Sequence, residues 1–532
     1  MNCKKILAGI LSAAMVFTTM AIPAFADDNG NVASIGAINY NTLTAAITAA
    51  KDNETVTLLS DVTESITVEK DKNITLDLNG YKLTNTDKEH TITNYGTLTI
   101  KDSSNGSGTV DNVSNGRAAL INDEDATATL NGGTFKRSKE AGTYTPHING
   151  GNSYYTIENS GTMSIYDGVT VKNAGGYSSN IINVGKSENN ASLTIYNGVF
   201  SGGVNSVKND AYGVLKINNG KFFNTVQDCI MNWYKATING GVFTALESAD
   251  SVVYNGSYND MKGDLTITGG TFTGAIVAVN YKGQATADPV TSISGGTFDT
   301  DVTDYCAEGY ALKANKDGSY TVANVEDLTR MVAKIDSKYY ETLTDAIAAA
   351  ENSDTVTLLS NVTESITVKK GKNITLDLNG KTLTNVEGND TIKNYGTLTI
   401  EDNSTDKNGK VDNVSNGKAA LVNYEGGNVT LNGSKFDRSL ENSKVGNTAD
   451  CNSYYTIKNW GVMTINAGVV VNNNSNTKGG SSAIGNGYYN GNKFDFHEGV
   501  TAKDVNAKLT INGGKFTGGF NTIKNDDWGN SK

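Results

Sequence analysis

The sequence predicts an all-β chain: two tandem right-handed parallel β-helices, each opened by a capping helix, with the second copy truncated. Three observations carry this prediction. Across 532 residues the chain repeats itself at long range, so that VTESITVEKDKNITLDLNG (62–80) returns as VTESITVKKGKNITLDLNG (362–380), with only Glu69 and Asp71 changed, to Lys369 and Gly371. Inside the first copy an apolar residue leads into a turn at Ile100, Leu130, Ile165, Ile195, Ile217, Ile238, Ile267 and Ile293, a spacing of about 28 residues that suits stacked repeats. Finally, the strands are short and alternating, as in Leu98-Thr99-Ile100 or Leu265-Thr266-Ile267. Such a strand cannot bury its apolar side alone, but coil stacked on coil can. A sandwich would show longer strands at hairpin spacing, and a leucine-rich repeat a fixed Leu frame.

Taken in order, residues 1–26 read as a secretory signal peptide: Lys4 and Lys5 precede an apolar run that ends in Ala24-Phe25-Ala26. Residues 27–330 form the first β-helix and 331–532 the second. Each copy starts with a helical pattern, Thr42 to Ala50 and Thr342 to Ala350, read as an N-terminal cap, with Thr342 and Asp345 spaced for a capping box. The first coils follow, with Ile66, Val68, Ile74, Leu76 and Leu78 facing the internal column and Asp77 turned outward into solvent. The first copy closes at 301–322, where a short turn or helix leads to Gly309 and a hairpin around Lys316-Asp317-Gly318. That places the boundary near 323–335. The offset between copies holds at 300 or 301 to about residue 165, then reaches 316 where IYNGVFSGGVNSVKNDAYG (195–213) meets INGGKFTGGFNTIKNDDWG (511–529). An insertion near 473–505 accounts for the change, and the last third of the first copy has no counterpart in the second.

Charge narrows the partners. The formal net charge of −12 becomes −14 once Lys4 and Lys5 leave with the leader, which disfavours nucleic acid and anionic membrane. No segment of the mature chain has the apolar length of a membrane span. Cys229, Cys306 and Cys451 are scattered, with no disulfide framework or zinc spacing; they read as buried thiols, one pair or an exposed thiol being the alternatives.

The series NGGTF, TGGTF and SGGTF, the cap pattern Y-x-T-L-T-x-A-I and the ending GGTFDTDVTDYCAEGY resemble secreted, adhesin-like β-helix proteins of anaerobic Gram-positive bacteria, within the pectate-lyase-like superfamily. The resemblance implies a secreted, extracellular or wall-associated protein on a scaffold that hosts lyases, hydrolases and binding proteins alike. Pectic-enzyme motifs do not carry over. Asp526-Asp527 is present but is Asp210-Ala211 in the first copy; no Gly-His-Gly or Arg-Ile-Lys occurs; and Arg117, Arg137, Arg330 and Arg438 lack an Arg-x-Pro context.

Comparing the copies tests the remaining residues. Asp123-Glu124-Asp125 becomes Tyr424-Glu425-Gly426, Glu158 becomes Lys458 and His90 becomes Asp390, so none of these marks a site common to both. The acidic run reads as a solvated loop, with a cation site as the alternative. Asp77/Asp377, Asp102/Asp402, Asp111/Asp412 and Asp210/Asp526 are retained. The last pair sits in SVKNDAYG and TIKNDDWG, where Tyr212 or Trp528 could stack on a sugar while Asp210 or Asp526 accepts its hydroxyls; alternatively the aromatic packs on a neighbouring coil. Trp233, Tyr234 and Trp460 are further aromatic contacts.

The expectation is therefore a non-catalytic protein that binds a polysaccharide, glycoprotein or host-matrix ligand, with no cofactor; calcium is the one cation its acidic loops suggest, without a ligand pattern to support it. Two alternatives stand beside it: a polysaccharide lyase or glycoside hydrolase on the same scaffold, and a stalk displaying a further C-terminal module.

Overall fold

The structure, a computed structural model, describes residues 30–104, 106–114, 116–138, 154–173, 178–249, 251–415, 417–439, 454–473, 482–488, 507–519, 521–526 and 529–531. It is an all-β parallel β-helix. In each coil the chain visits three sheets in turn. Sheet one contains Thr97–Lys101, Thr127–Leu130 and Thr162–Ile165; sheet two Thr109–Asp111, Gly133–Lys136 and Val169–Asn173; sheet three Leu120–Asn122, Ile157–Asn159 and Ile181–Asn183. Successive coils pair in parallel and in register, Leu98 with Ala128, Met163 with Leu193, and Leu215 with Ala236. In the first copy sheet one has twelve strands and sheet three has nine.

Side-chain columns from all three sheets fill the interior. On sheet one, Ile100, Leu130, Ile165, Ile195, Ile217, Ile238, Ile267 and Ile293 are all fully buried. On sheet two, Phe200, Phe222, Phe243, Phe272 and Phe298 stack ring on ring, with centroids 4.6–4.9 Å apart. The glycine two positions before each ring explains the GGTF signature. Gly241 (φ 114°) takes a backbone conformation open mainly to glycine, and a Cβ there would stand 3.1 Å from the Phe243 ring.

On sheet three an apolar column, Leu120, Ile157, Ile181, Val207 and Ile230, runs beside a polar one. Asn94, Asn122, Asn159, Asn183, Asn209, Asn232 and Asn255 are buried, and each Nδ2 donates to the Oδ1 of the next at 2.7–2.8 Å. The second copy repeats it through Asn394, Asn423, Asn459, Asn486 and Asn525. Each rung also satisfies backbone carbonyls at the corner between sheets three and one, as Asn159 does for Gly161 and Ser192. Buried amides are affordable because every donor is paired.

The helices at Leu43–Ala49 and Leu343–Ala349 cover the first coil of each copy. The nineteen-residue repeat supplies the reason for their placement. Glu64 accepts from the N–H groups of Leu43 (2.8 Å) and Thr44 (2.9 Å) at the helix N-terminus, and Lys72 donates to the carbonyls of Thr48 and Ala50 (both 2.7 Å) at the other end. Glu364 and Lys372 do the same for the second helix. An anion at the positive end and a cation at the negative end complement the helix dipole. Thr342 accepts from the Asp345 N–H (3.0 Å) and donates to its carboxylate (2.6 Å).

Ile66, Val68, Ile74, Leu76 and Leu78 face the column as expected. Asp77 does not face solvent. It is 4% exposed; its Oδ1 accepts from the N–H groups of Asn79 and Ser103 at 3.0 Å, and Lys101 pairs with its Oδ2 at 3.2 Å. Strand alternation missed the next coil, whose turn at Ser103 folds over it.

At 301–324 a short 3-10 turn, Thr303–Tyr305, precedes an antiparallel hairpin of Tyr310–Ala314 with Tyr320–Asn324. The hairpin pairs with Thr297–Phe298 on one side and, in parallel, with Lys338–Tyr340 on the other. Lys338 pairs with Asp301 and Lys313 with Glu341, both at 2.6 Å. One core cluster runs from Ala33 to Val322 and a second from Ala333 to Leu509.

Candidate functional site

The strands Val207–Asn209, Ile230–Asn232, Val253–Ser257 and Ile276–Asn280 stack in sheet three. Their first residues, Val207, Ile230, Val253 and Ile276, point into the column. By alternation the next residues, Lys208, Met231, Tyr254 and Val277, form an outward row in register. Beyond the buried asparagine the chain turns, which brings Asp210 and Trp233 to the same edge. Two longer corners, after Ser257 and after Asn280, then fold beside them. Tyr258 and Met261 close the first with reciprocal backbone hydrogen bonds of 3.0 Å, and Tyr281 begins the second.

These pieces enclose a cleft of 330 Å³ lined by Lys208, Asp210, Met231, Trp233, Tyr258, Met261 and Tyr281. That volume lies at the lower end of the range for small-ligand sites, about 300–1,000 Å³. Trp233 is the fixed wall. Its main-chain N–H donates to the Asn209 carbonyl (2.8 Å), and its ring meets Tyr281 edge-on at 5.8 Å and Tyr254 at 5.4 Å. It also lies over Gly256, where a Cβ would come within 2.6 Å of the indole. Tyr258 (40% exposed) and Tyr281 (38%) meet at 5.8 Å and face solvent. At the opposite side Lys208 and Asp210 form an ion pair at 2.6 Å. Burial pushes the Tyr155 phenol upward, with Asp210 and Glu158 adding to the rise against Lys208, so Tyr155 stays a neutral neighbour of that pair.

Of the residues the sequence singled out, Asp210 lines the cleft. Tyr212 does not: it adopts a left-handed turn (φ 55°), and its ring packs against Tyr234 of the next coil at 5.6 Å. Asp526 is tied to Lys524 at 2.8 Å and accepts from the Tyr455 hydroxyl at 3.2 Å, while Trp528 lies outside the described residues. Met231, Tyr258, Met261 and Tyr281 were not anticipated. For Tyr258, Met261 and Tyr281 the signal was the pair of corners at 258–263 and 281–289, longer than those after Asn209 and Asn232; Met231 lies on the strand Ile230–Asn232.

The other candidates are structural. Asp102 accepts from the N–H groups of Gly80, Ser104, Gly106 and Gly108 and from the Ser104 hydroxyl. Asp111 is buried between Lys82 (3.3 Å) and Lys136 (3.6 Å). The acidic run lies in a solvated loop, where Glu124 pairs with Lys186, and Asp125, still exposed, with Lys70 and Asn189. Arg137 and Arg438 are buried and donate to main-chain carbonyls, Arg137 to Arg117 and Tyr154, Arg438 to Lys418 and Tyr454. Cys229 is a buried thiol pushed up to about 12 by desolvation, and Cys306 is also free; Cys451 lies outside the described residues. Among the described residues no group of three or more His, Cys, Asp or Glu is placed to hold a metal ion, and no helix is long and apolar enough to cross a membrane.

No family model, curated protein or solved structure matches the chain.

Proposed function

We propose that the protein is a secreted or surface-displayed glycan-binding protein without catalytic activity, and that the Trp233 cleft is its ligand site. The observation that carries this reading is the pairing of exposed aromatic walls with one charged pair in a concave site. The C–H faces of a pyranose pack on aromatic rings, while its hydroxyls need polar partners such as Asp210 and Lys208. Glycoside hydrolysis ordinarily needs two carboxyl groups flanking the bond. Asp210 is the one carboxylate among the described residues lining the cleft, and it is held by Lys208.

The test is binding of residues 27–532 to plant polysaccharides, mucin and matrix glycoproteins. Trp233→Ala is expected to weaken binding at least about tenfold with the fold retained, as loss of a central aromatic anchor does. Absence of binding across that panel would sink the reading. Release of reducing ends or unsaturated uronides would favour the enzymatic alternative instead.

A further inference from the structure

We infer that the cleft selects an N-acetylated hexosamine over an unsubstituted hexose or a uronate, with Met231 and Met261 receiving the acetamido methyl group. This rests on the glycan-binding reading and adds the substituent that decides affinity. The two thioethers come from different elements, Met231 from the outward row of sheet three and Met261 from the corner closed on Tyr258, yet both line one cleft with Trp233. Thioether side chains are apolar and adaptable, and accept hydrogen bonds only weakly. A ring hydroxyl pressed against them loses water without regaining a partner. A methyl group in the same place loses nothing and removes apolar surface from water. The aromatic walls are less adaptable, because Trp233 is held between Tyr254, Tyr281 and Gly256. The methionines are therefore the part of the lining that can shape itself to a small apolar substituent.

Charge argues against the uronate. The Lys208 ammonium that would receive a carboxylate already pairs with Asp210 at 2.6 Å, so an incoming uronate meets the Asp210 carboxylate as well. The chain's net charge of −12 adds to that repulsion.

Tetra-N-acetylchitotetraose (chitotetraose below, always with its four acetamido groups) and cellotetraose share length and linkage and differ at the C2 substituent, which makes them the direct probe, with tetragalacturonate as the acidic arm. Titration calorimetry on residues 27–532 should show chitotetraose bound at least about tenfold more tightly than either. The ratio should fall toward unity in Met231→Gln/Met261→Gln, whose melting temperature is checked in parallel. Equal or tighter binding of cellotetraose or tetragalacturonate by the unmodified chain overturns the inference, and that measurement does not depend on the variant folding. If a broad array finds only glycans lacking the acetamido group, the inference falls and the glycan reading stands; if no glycan binds, both fall.

Discussion

The outer face of sheet three differs between the copies far more than the core behind it. Inside, Asn159 and Asn459 make the same bonds, each to the next asparagine in the ladder and to two backbone carbonyls. Outside, the adjacent residue is Glu158 in one copy and Lys458 in the other. Glu158 accepts from the Tyr154 hydroxyl at 2.7 Å, whereas Lys458 donates to the Tyr454 hydroxyl at 3.2 Å and lies over the rings of Tyr454 (4.5 Å) and Trp460 (4.8 Å). Where the first copy has Asp123, the second has Tyr424, which stacks on Tyr395 at 4.2 Å and meets Trp460 edge-on; Trp460 in turn stacks on Tyr488 at 4.6 Å. Tyr424, Trp460 and Tyr488 are buried, so the rings of the second copy cover one another. Those of the first copy appear further along, at Trp233, Tyr258 and Tyr281, and leave a cleft open. Aromatic content alone thus does not mark a binding face on this scaffold; the corner loops decide whether the rings close or stay apart.

The largest expected effect separates the copies by their cores. Phe243 is sandwiched between Phe222 and Phe272, whereas Phe436 lies between Val411 and Val471 in the same sheet. Both rings are buried. Phe243→Ala should cost about 4 kcal/mol and Phe436→Ala about 3 kcal/mol, the gap being the ring–ring term. Equal losses in urea melts would mean that stacking adds nothing to burial. Removing a ladder rung should not distinguish the copies: Asn159→Ala and Asn459→Ala should each cost about 2–3 kcal/mol, because each strands the same buried partners. A difference above about 1 kcal/mol would show that the outer face reaches the ladder.

These contrasts also show what the sequence could reveal. Alternation and the glycine-turn spacing were enough for the β-helix, the capping helices and the inward Ile and Leu columns, because each depends on a local period. The asparagine ladder has a period too: Asn closes ITN, LIN, IEN, IIN, VKN, IMN and VYN at the phase of an inward residue. It is hard to read because a polar residue at that phase resembles a turn former, and only register between coils shows that the amides meet. The same holds for His90 and Asp390. They look like a lost group, but both accept the N–H of the matching alanine, Ala118 at 2.9 Å and Ala419 at 2.8 Å. The cleft was least legible, since Lys208, Trp233, Tyr258 and Tyr281 come from successive coils and meet only through stacking.

A smaller effect follows from Lys458. Burial among the rings lowers its ammonium to about 8, against the opposing pull of Asp390 and Asp526. Its folded value lies below the unfolded one, so the folded state resists the charge. The penalty is complete below about pH 8 and fades as pH rises toward the unfolded value near 10.4. Lys458→Met should therefore gain on the parent chain at pH 7, by on the order of 1–3 kcal/mol, and the difference should shrink between pH 8 and 10. Urea melts at several pH values provide the measurement; a difference that stays constant with pH would mean that Lys458 is better solvated than its ring contacts indicate. Glu158→Met in the first copy should show no such alkaline trend.

The smallest effect tests two loops the copies share. Burial raises the carboxyls of Asp102 and Asp402, but hydrogen bonds from Ser104, Gly108 and Gly80, and from Ser404, Gly409 and Gly380, outweigh it and leave both below the usual aspartate value. A lowered folded value means that the stabilisation is present above the unfolded pKa of about 3.9 and is lost as pH falls through the folded one. Between pH 6 and pH 3 the parent chain should consequently lose more stability than Asp102→Asn, by on the order of 1 kcal/mol, because the half-buried carboxyl is still partly screened by solvent. Asp402→Asn should show a smaller difference still. Asp102 accepts from the N–H of Gly106, in a loop where the second copy has Lys407 donating to the Asp402 carbonyl rather than to its carboxylate. If the two substitutions flatten the acid limb equally, the extra Gly106 contact contributes nothing to holding that carboxylate charged.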